Sequence, residues 1–334
     1  MSANILLEVN SLKTYFHNEV GLVKAVDNVS FKVKKGETLG IVGESGCGKS
    51  VTSLSIMNLV PQPRGVIEGG EIIYHGYDNP LEITTLNSQS RDMRNIRGNR
   101  IAMIFQEPMT SLNPVYTVGE QIMESVRLHQ KRDNIKARAR AIEMLKLVGL
   151  PAPEQIVDEY PHELSGGMRQ RVMIGMALSC NPDLLIADEP TTALDVTIEA
   201  QILDLMEELQ DEFNMSIMLI THDLEVIGEM SERVIVMYTG KIMEKANIDD
   251  IFHNCKHPYT QGLLNSIPQI GANKRLIPIE GSVPDLTDLP SGCYFAPRCN
   301  QAKEICWVDE PPEYSITEVQ KAKCWLYDGK EELS

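Results

Sequence analysis

Eight residues near the start of the chain, Gly43-Glu44-Ser45-Gly46-Cys47-Gly48-Lys49-Ser50, fit the spacing GxxxxGK[ST]. The chemistry this spacing serves is the cradling of a phosphate chain. Gly43, Gly46 and Gly48 let backbone N–H groups curl toward anionic oxygens with no Cβ in the way, and a helix starting at Lys49 adds partial positive charge. Lys49 is placed to reach β- and γ-phosphates and Ser50 to ligate Mg²⁺. Ser45, Cys47 and Val51 complete the lining, Cys47 as a small side chain at a position the pattern leaves free.

A second group of residues ends an apolar run. Leu184-Leu185-Ile186-Ala187 leads into Asp188 and Glu189, as a buried strand does on reaching an active-site edge. By itself such a run is also the mark of a strand followed by a solvated acidic turn. Beside a phosphate loop, Asp188 is expected to hold Mg²⁺ through water and Glu189 to orient and polarise an attacking water.

A third group is sulfur. Seven cysteines are present and four of them, Cys293, Cys299, Cys306 and Cys324, fall in the last 42 residues, with five, six and seventeen residues between them. Four thiolates are a full ligand set for a [4Fe–4S] cluster or for zinc, and plain buried thiols are the remaining reading. The CxxC pairs usual in zinc ribbons are missing, and no histidine lies between Cys293 and Cys324. Trp307 and Trp325 each follow a cysteine and are expected to give it apolar cover.

The elements that must position these groups are legible in outline. Strands are expected in ILLEV, VKAVDNVSFKV and ETLGIVG between residues 5 and 42, then at 100–106, 183–188 and 216–221, with a hairpin in RVIVMYTGKIMEKA. A helix is expected from Lys49 toward Leu59. The spacing of Ile198, Ile202, Leu205, Met206, Leu209 and Phe213 predicts one buried face of another. No strong strand run lies between Gln106 and Asn181, which reads as an inserted helical subdomain. Alternating strands and helices imply an α/β fold with a largely parallel sheet. From about residue 256 the chain turns proline-rich and begins a C-terminal appendage.

Composition narrows the classes of function. A formal charge of −16 opposes general attraction to nucleic acid or anionic lipid. The chain has no run of about 18 apolar residues, so membrane association is expected to need a protein dock.

The segment Leu164-Ser165-Gly166-Gly167-Met168-Arg169-Gln170-Arg171 resembles the LSGGQ signature of ABC ATPases, with Met168 where glutamine is commonest, a variation familiar in the peptide-permease branch. Gln106 resembles the Q-loop, Ala193-Leu194-Asp195 the D-loop, His222 the switch histidine and Tyr15 the aromatic that stacks on adenine. Over residues 5 to about 250 the chain is identified as a member of the ABC nucleotide-binding subunits. His257-Pro258-Tyr259-Thr260-Gln261-Gly262-Leu263-Leu264 and the cysteine tail are similar to the dipeptide and oligopeptide permease ATPases.

The resemblance implies a P-loop NTPase of ABC type: an N-terminal antiparallel β subdomain, an inserted helical subdomain at about 107–181 within a 1–256 nucleotide-binding domain, and a small cysteine-rich region at 257–334. It implies that Glu189, His222 and Gln106 act in ATP hydrolysis and that Gln106 joins Ser50 and Asp188 at Mg²⁺. Ser165, Gly166, Gly167 and Asp195 serve the nucleotide of a second ABC ATPase subunit, a paralogue or a copy, in a head-to-tail dimer. Two transmembrane permease subunits and, indirectly, a peptide-binding protein are the other implied partners, at the cytoplasmic face of the membrane. A sister importer of nickel or another solute, or a soluble ABC machine, is the alternative. The family also implies a [4Fe–4S] cluster on the four cysteines. Because Lys49, Asp188 and Glu189 lie far earlier in the chain, its loss is expected to damage the tail before it damages nucleotide binding.

Overall fold

The computed structural model describes residues 4–19, 21–106, 111–192, 194–267 and 278–329. Its strands are β1 Ile5–Asn18, β2 Gly21–Lys34, β3 Thr38–Val42, β4 Gly65–Tyr74, β5 Leu81–Glu82, β6 Ile101–Ile104, β7 Leu184–Asp188, β8 Ser216–Thr221, β9 Arg233–Tyr238, β10 Lys241–Asn247, β11 Tyr314–Ser315 and β12 Lys321–Ala322. The chain divides into two compact units. The first comprises Met1–Leu6, Val33–Glu37 and Tyr74–Met218, and the second Leu7–Lys32, Thr38–Ile73 and Leu219–Ser334.

In the first unit β6 and β7 pair in parallel, Ile101 opposite Leu184 and Ile104 opposite Ala187. Every residue of β7 is buried, which is why it reads as an unbroken apolar run rather than an alternating one. Between these strands the described residues form the helices Val118–Gln130, Asn134–Leu147, Pro153–Ile156 and Gly166–Leu178. Their starts are written in the sequence: Thr117 and Glu120 form a reciprocal capping box, and Asp133 accepts from the Lys136 N–H. Helix Val196–Phe213 buries Ile202, Leu205, Met206 and Leu209 at the expected spacing, with Leu203 beside them.

In the second unit β1, β2 and β4 lie side by side in the order β2–β1–β4. Strand β4 was not evident from composition, because glycines 69 and 70 interrupt it. Strands β3 and β9 pair in parallel, Leu39 opposite Arg233 and Val42 opposite Val236. From β9 the chain turns through Thr239 and Gly240, both at positive φ (41° and 79°), into antiparallel β10, as a two-residue hairpin requires.

The C-terminal segment is built onto this sheet. Glu244 of β10 stands opposite Ala322 of β12, and β12 pairs in turn with β11. The Glu244 carboxylate is fully buried and accepts the N–H groups of Lys256 (2.7 Å) and His257 (2.8 Å) and the Gln320 amide (3.0 Å). Burial pushes its pKa up, against those donors. The cysteine-bearing region therefore belongs to the same unit as the phosphate loop. Among the described residues no helix is long and apolar enough to cross a membrane.

Candidate functional site

The phosphate loop runs from the end of β3 at Val42 to the helix Lys49–Ile56, whose N-cap is Gly48 at φ 101°. A Cβ on Gly43 would stand 2.2 Å from the Met237 carbonyl oxygen, and one on Gly48 2.2 Å from that of Ala25, so both positions exclude a side chain. Ser45 and Gly46 are exposed while Cys47 and Lys49 are buried. Lys49 Nζ donates to the carbonyls of Gly43 (2.7 Å) and Glu44 (3.3 Å). Burial pushes the Cys47 thiol up in pKa even with Lys49 nearby, and the Gly240 N–H donates to the Cys47 carbonyl at 2.8 Å. Ser50 and Val51 are half-buried at the first turn.

Two residues from the far end of the chain hold the loop from behind. The Glu44 N–H donates to the hydroxyl of the fully buried Tyr259 at 2.9 Å. The Glu44 carboxylate accepts both arms of the Arg298 guanidinium, at 2.6 and 3.0 Å. Distance along the chain thus does not separate the tail from the phosphate loop. Sequence reading gave no signal for this pair, which is 254 residues apart.

Tyr15 is half-buried, and its hydroxyl donates to Asp27 at 2.7 Å. Burial and Asp27 together raise the pKa of that hydroxyl. Burial opposes charge on Asp27 itself, yet hydrogen bonds from Tyr15 and Lys241 hold its carboxyl below the usual range. Lys241 Nζ lies 3.0 Å from Asp27, and the Tyr294 hydroxyl donates to the same carboxylate at 3.4 Å. His222 is exposed directly after β8 in this unit, and Asp223 caps the next helix, Leu224–Met230.

The first unit carries the other residues. Asp188, at the end of β7, is 3% exposed. Glu189 follows at φ 49°, in the left-handed region. Its Oε2 accepts from Gln106 Nε2 at 2.9 Å and from Thr192 Oγ1 at 3.0 Å, so Gln106 and Glu189 meet although 83 residues separate them. Glu107, Pro108 and Ala193, next to Gln106 and in the D-loop resemblance, lie outside the described residues.

Ser165 caps the helix Gly166–Leu178 by accepting from the Met168 N–H at 3.3 Å. Ser165 and Gly166 are exposed, and a Cβ on Gly166 would meet nothing within 4 Å, whereas one on Gly167 would stand 3.1 Å from Ile198. Packing among the described residues therefore does not explain glycine at 166. Asp195 caps the helix Val196–Phe213, accepting from the Ile198 N–H at 3.0 Å.

Cys293, Cys299, Cys306 and Cys324 line one small cavity in the second unit, together with His257 and Trp325. The Cys293 N–H donates to the Cys306 carbonyl at 2.8 Å, and a side chain on Gly292 would collide with that same carbonyl. Burial, with mutual repulsion, pushes the thiols of Cys293 to about 12 and of Cys324 to about 11. His257 is wholly buried; its Nδ1 accepts from the Tyr259 N–H at 3.0 Å, and burial pushes its pKa down to about 3, so the ring is neutral. Among the described residues no three His, Cys, Asp or Glu side chains gather closely enough to hold a metal ion. Trp307 does not cover the cysteines: it is 52% exposed, because the short helix Ile305–Val308 turns Cys306 inward and swings the next side chain away.

The profile of the ABC transporter family matches residues 26–192. The oligopeptide transport ATP-binding protein AppD of Bacillus subtilis (strain 168) is 55% identical over 324 residues, 97% of each chain. The chain belongs to the ABC transporter family. A profile for the oligopeptide/dipeptide transporter C-terminal region matches this ABC ATPase at residues 243–306. The dipeptide transport ATP-binding protein DppD of Escherichia coli (strain K12) is 48% identical over 320 residues, 96% of each chain. Two solved structures share the cassette fold. One is the dimeric ATP-binding cassette MJ0796 bound to ADP and Pi, 28% identical at a TM-score of 0.63, covering 73% of this chain and 99% of that one. The other is cbiO1 of Clostridium perfringens, 26% identical at 0.60, covering 75% and 92%.

Proposed function

We propose that this ABC ATPase powers the import of di- or oligopeptides through separate transmembrane subunits. The observation that carries the proposal is the C-terminal segment, matched by the peptide-transporter profile and built onto the sheet of the unit that holds the phosphate loop. The nucleotide-binding domain is assigned to 1–256, with its helical subdomain at about 107–181, and the peptide-permease region to 257–334.

Lys49, already inside the phosphate loop, neutralises phosphate charge, and backbone N–H groups of Ser45 to Val51 take the oxygens. Tyr15 stacks on adenine, its ring fixed by the bond to Asp27. Ser50, Asp188 and Gln106 are the residues to hold Mg²⁺, which adds further neutralisation of the phosphates. Glu189, aimed by Gln106 and Thr192, polarises the attacking water, and His222 senses the γ-phosphate. Ser165, Gly166, Gly167 and Asp195 serve the nucleotide of a second ABC ATPase subunit. Two permease subunits and a peptide-binding protein complete the assembly at the cytoplasmic face of the membrane.

We further propose a [4Fe–4S] cluster on Cys293, Cys299, Cys306 and Cys324, which would tie their loops together. A cluster takes one thiolate at each of four irons and so suits thiols ringing a cavity. Zinc, which needs four sulfurs at about 2.3 Å from one point, suits them less well.

Purification of the tagged protein from its own membrane tests the assignment. Two permease proteins, a second ABC ATPase and a peptide-stimulated ATP turnover are the expected result. Turnover stimulated by nickel or another solute and not by peptides would overturn the substrate, and copurification of ribosomes or DNA the transport role.

A further inference from the structure

Glu44 presents a problem that its neighbours solve. A carboxylate at the second position of a loop that binds polyphosphate repels its ligand, because like charges a few ångströms apart in a half-buried site are weakly screened. Here that carboxylate is gripped by both arms of Arg298, whose side chain is only 4% exposed. The guanidinium is itself pinned: Nε donates to the Glu280 carbonyl at 3.1 Å and Nη2 to that of Ile279 at 3.3 Å, while its plane lies 5.8 Å from the Tyr238 ring. Planar forks of this kind lose little freedom in binding a carboxylate. On the main-chain side, the Tyr259 hydroxyl fixes the Glu44 N–H.

We infer that Arg298 is a positioning residue for nucleotide binding: it holds the Glu44 carboxylate away from the bound phosphates, so that the cysteine-bearing loop sets the affinity of the phosphate loop. Arg298 is the residue immediately before Cys299 and five after Cys293, two of the four that line the cysteine cavity. Order among the cysteines is therefore transmitted to the Glu44 carboxylate through the Arg298 side chain. This rests on the nucleotide reading of the phosphate loop given above.

The alternative role for Arg298 is to fasten the segment at Ile279 and Glu280, and a double-mutant cycle separates the two. ATP affinity is measured by equilibrium binding on the full chain for wild type, Arg298→Met, Glu44→Gln and the double variant. Arg298→Met is expected to weaken ATP about five- to tenfold, since the freed Glu44 charge then acts on the phosphates across a partly screened site. Adding Glu44→Gln should restore binding to within about twofold of wild type, since the repelling charge is then gone. Arg298→Lys, which keeps the charge and loses the fork, should fall between. Undiminished affinity in Arg298→Met overturns the inference. So does an equal loss in the Glu44→Gln background, which assigns Arg298 to fastening the tail. Failure of the wild type to bind ATP would reject the nucleotide reading instead.

Discussion

Glu189 sits in a backbone conformation that side chains other than glycine avoid, a cost on the order of 1 kcal/mol or more that folded proteins retain where a site requires it. One carboxylate oxygen accepts from both Gln106 and Thr192, which fixes its direction. Glu189→Gln preserves size and one acceptor but removes the basic carboxylate. The expected result is unchanged ATP affinity with hydrolysis slowed about a hundredfold or more, measured as single-turnover phosphate release. Turnover near wild type would reject the assignment. The candidate catalytic residues could be named from sequence because each lies in a short contiguous motif whose neighbours declare it. Their partners were not: Thr192 looks like any threonine, and Asp27 and Arg298 take their meaning from residues over 200 positions away in the cases of Lys241 and Glu44.

At the scale of elements, fully buried strands were readable, since unbroken apolar runs are local signals, while the caps at Thr117 and Asp133, though local, were not used. Strand β4, split by glycines, and the two-residue strands β11 and β12 carry no such period, and only pairing to a neighbour makes them strands. The helix Gly166–Leu178 poses a sharper question, because glycine at its exposed start is less helix-favouring than alanine and no contact among the described residues requires it. The open surface above Gly166 suits close approach by a phosphate on another subunit. Gly166→Ala is therefore expected to leave thermal stability unchanged or slightly higher, while ATP-dependent dimers seen by light scattering weaken at least about tenfold. Dimers of full strength would show that this backbone is not an interface.

For the molecule as a whole, the C-terminal region has a small core among the described residues: Tyr259, Tyr294, Phe295, Ala296 and Ala322 are buried, along with Cys293, Cys306 and Cys324. So little apolar burial rarely sustains a fold without a covalent or metal tie. Anaerobic preparations are expected to be brown with about four irons per chain, and Cys324→Ser to bleach them and lower the melting temperature. A colourless preparation with one zinc would replace the cluster. Bleaching should weaken ATP no more than Arg298→Met does, because that side chain is the main polar route from the cysteine loop to the phosphate loop among the described contacts.

Cys47 gives the phosphate loop a built-in chemical clock. The residue is 2% exposed and kept as the unreactive thiol by burial, in a loop pinned at the Glu44 N–H by Tyr259 and at the Cys47 carbonyl by Gly240. An alkylating reagent can reach it only when the loop lifts, so the rate of modification counts openings rather than surface. Peptide-resolved mass spectrometry after timed iodoacetamide exposure is expected to find Cys47 slower than the half-exposed Cys255, and slower still with ATP present. Arg298→Met should quicken it. Labelling of Cys47 as fast as Cys255 in the wild-type protein would mean that the loop spends much of its time unlatched.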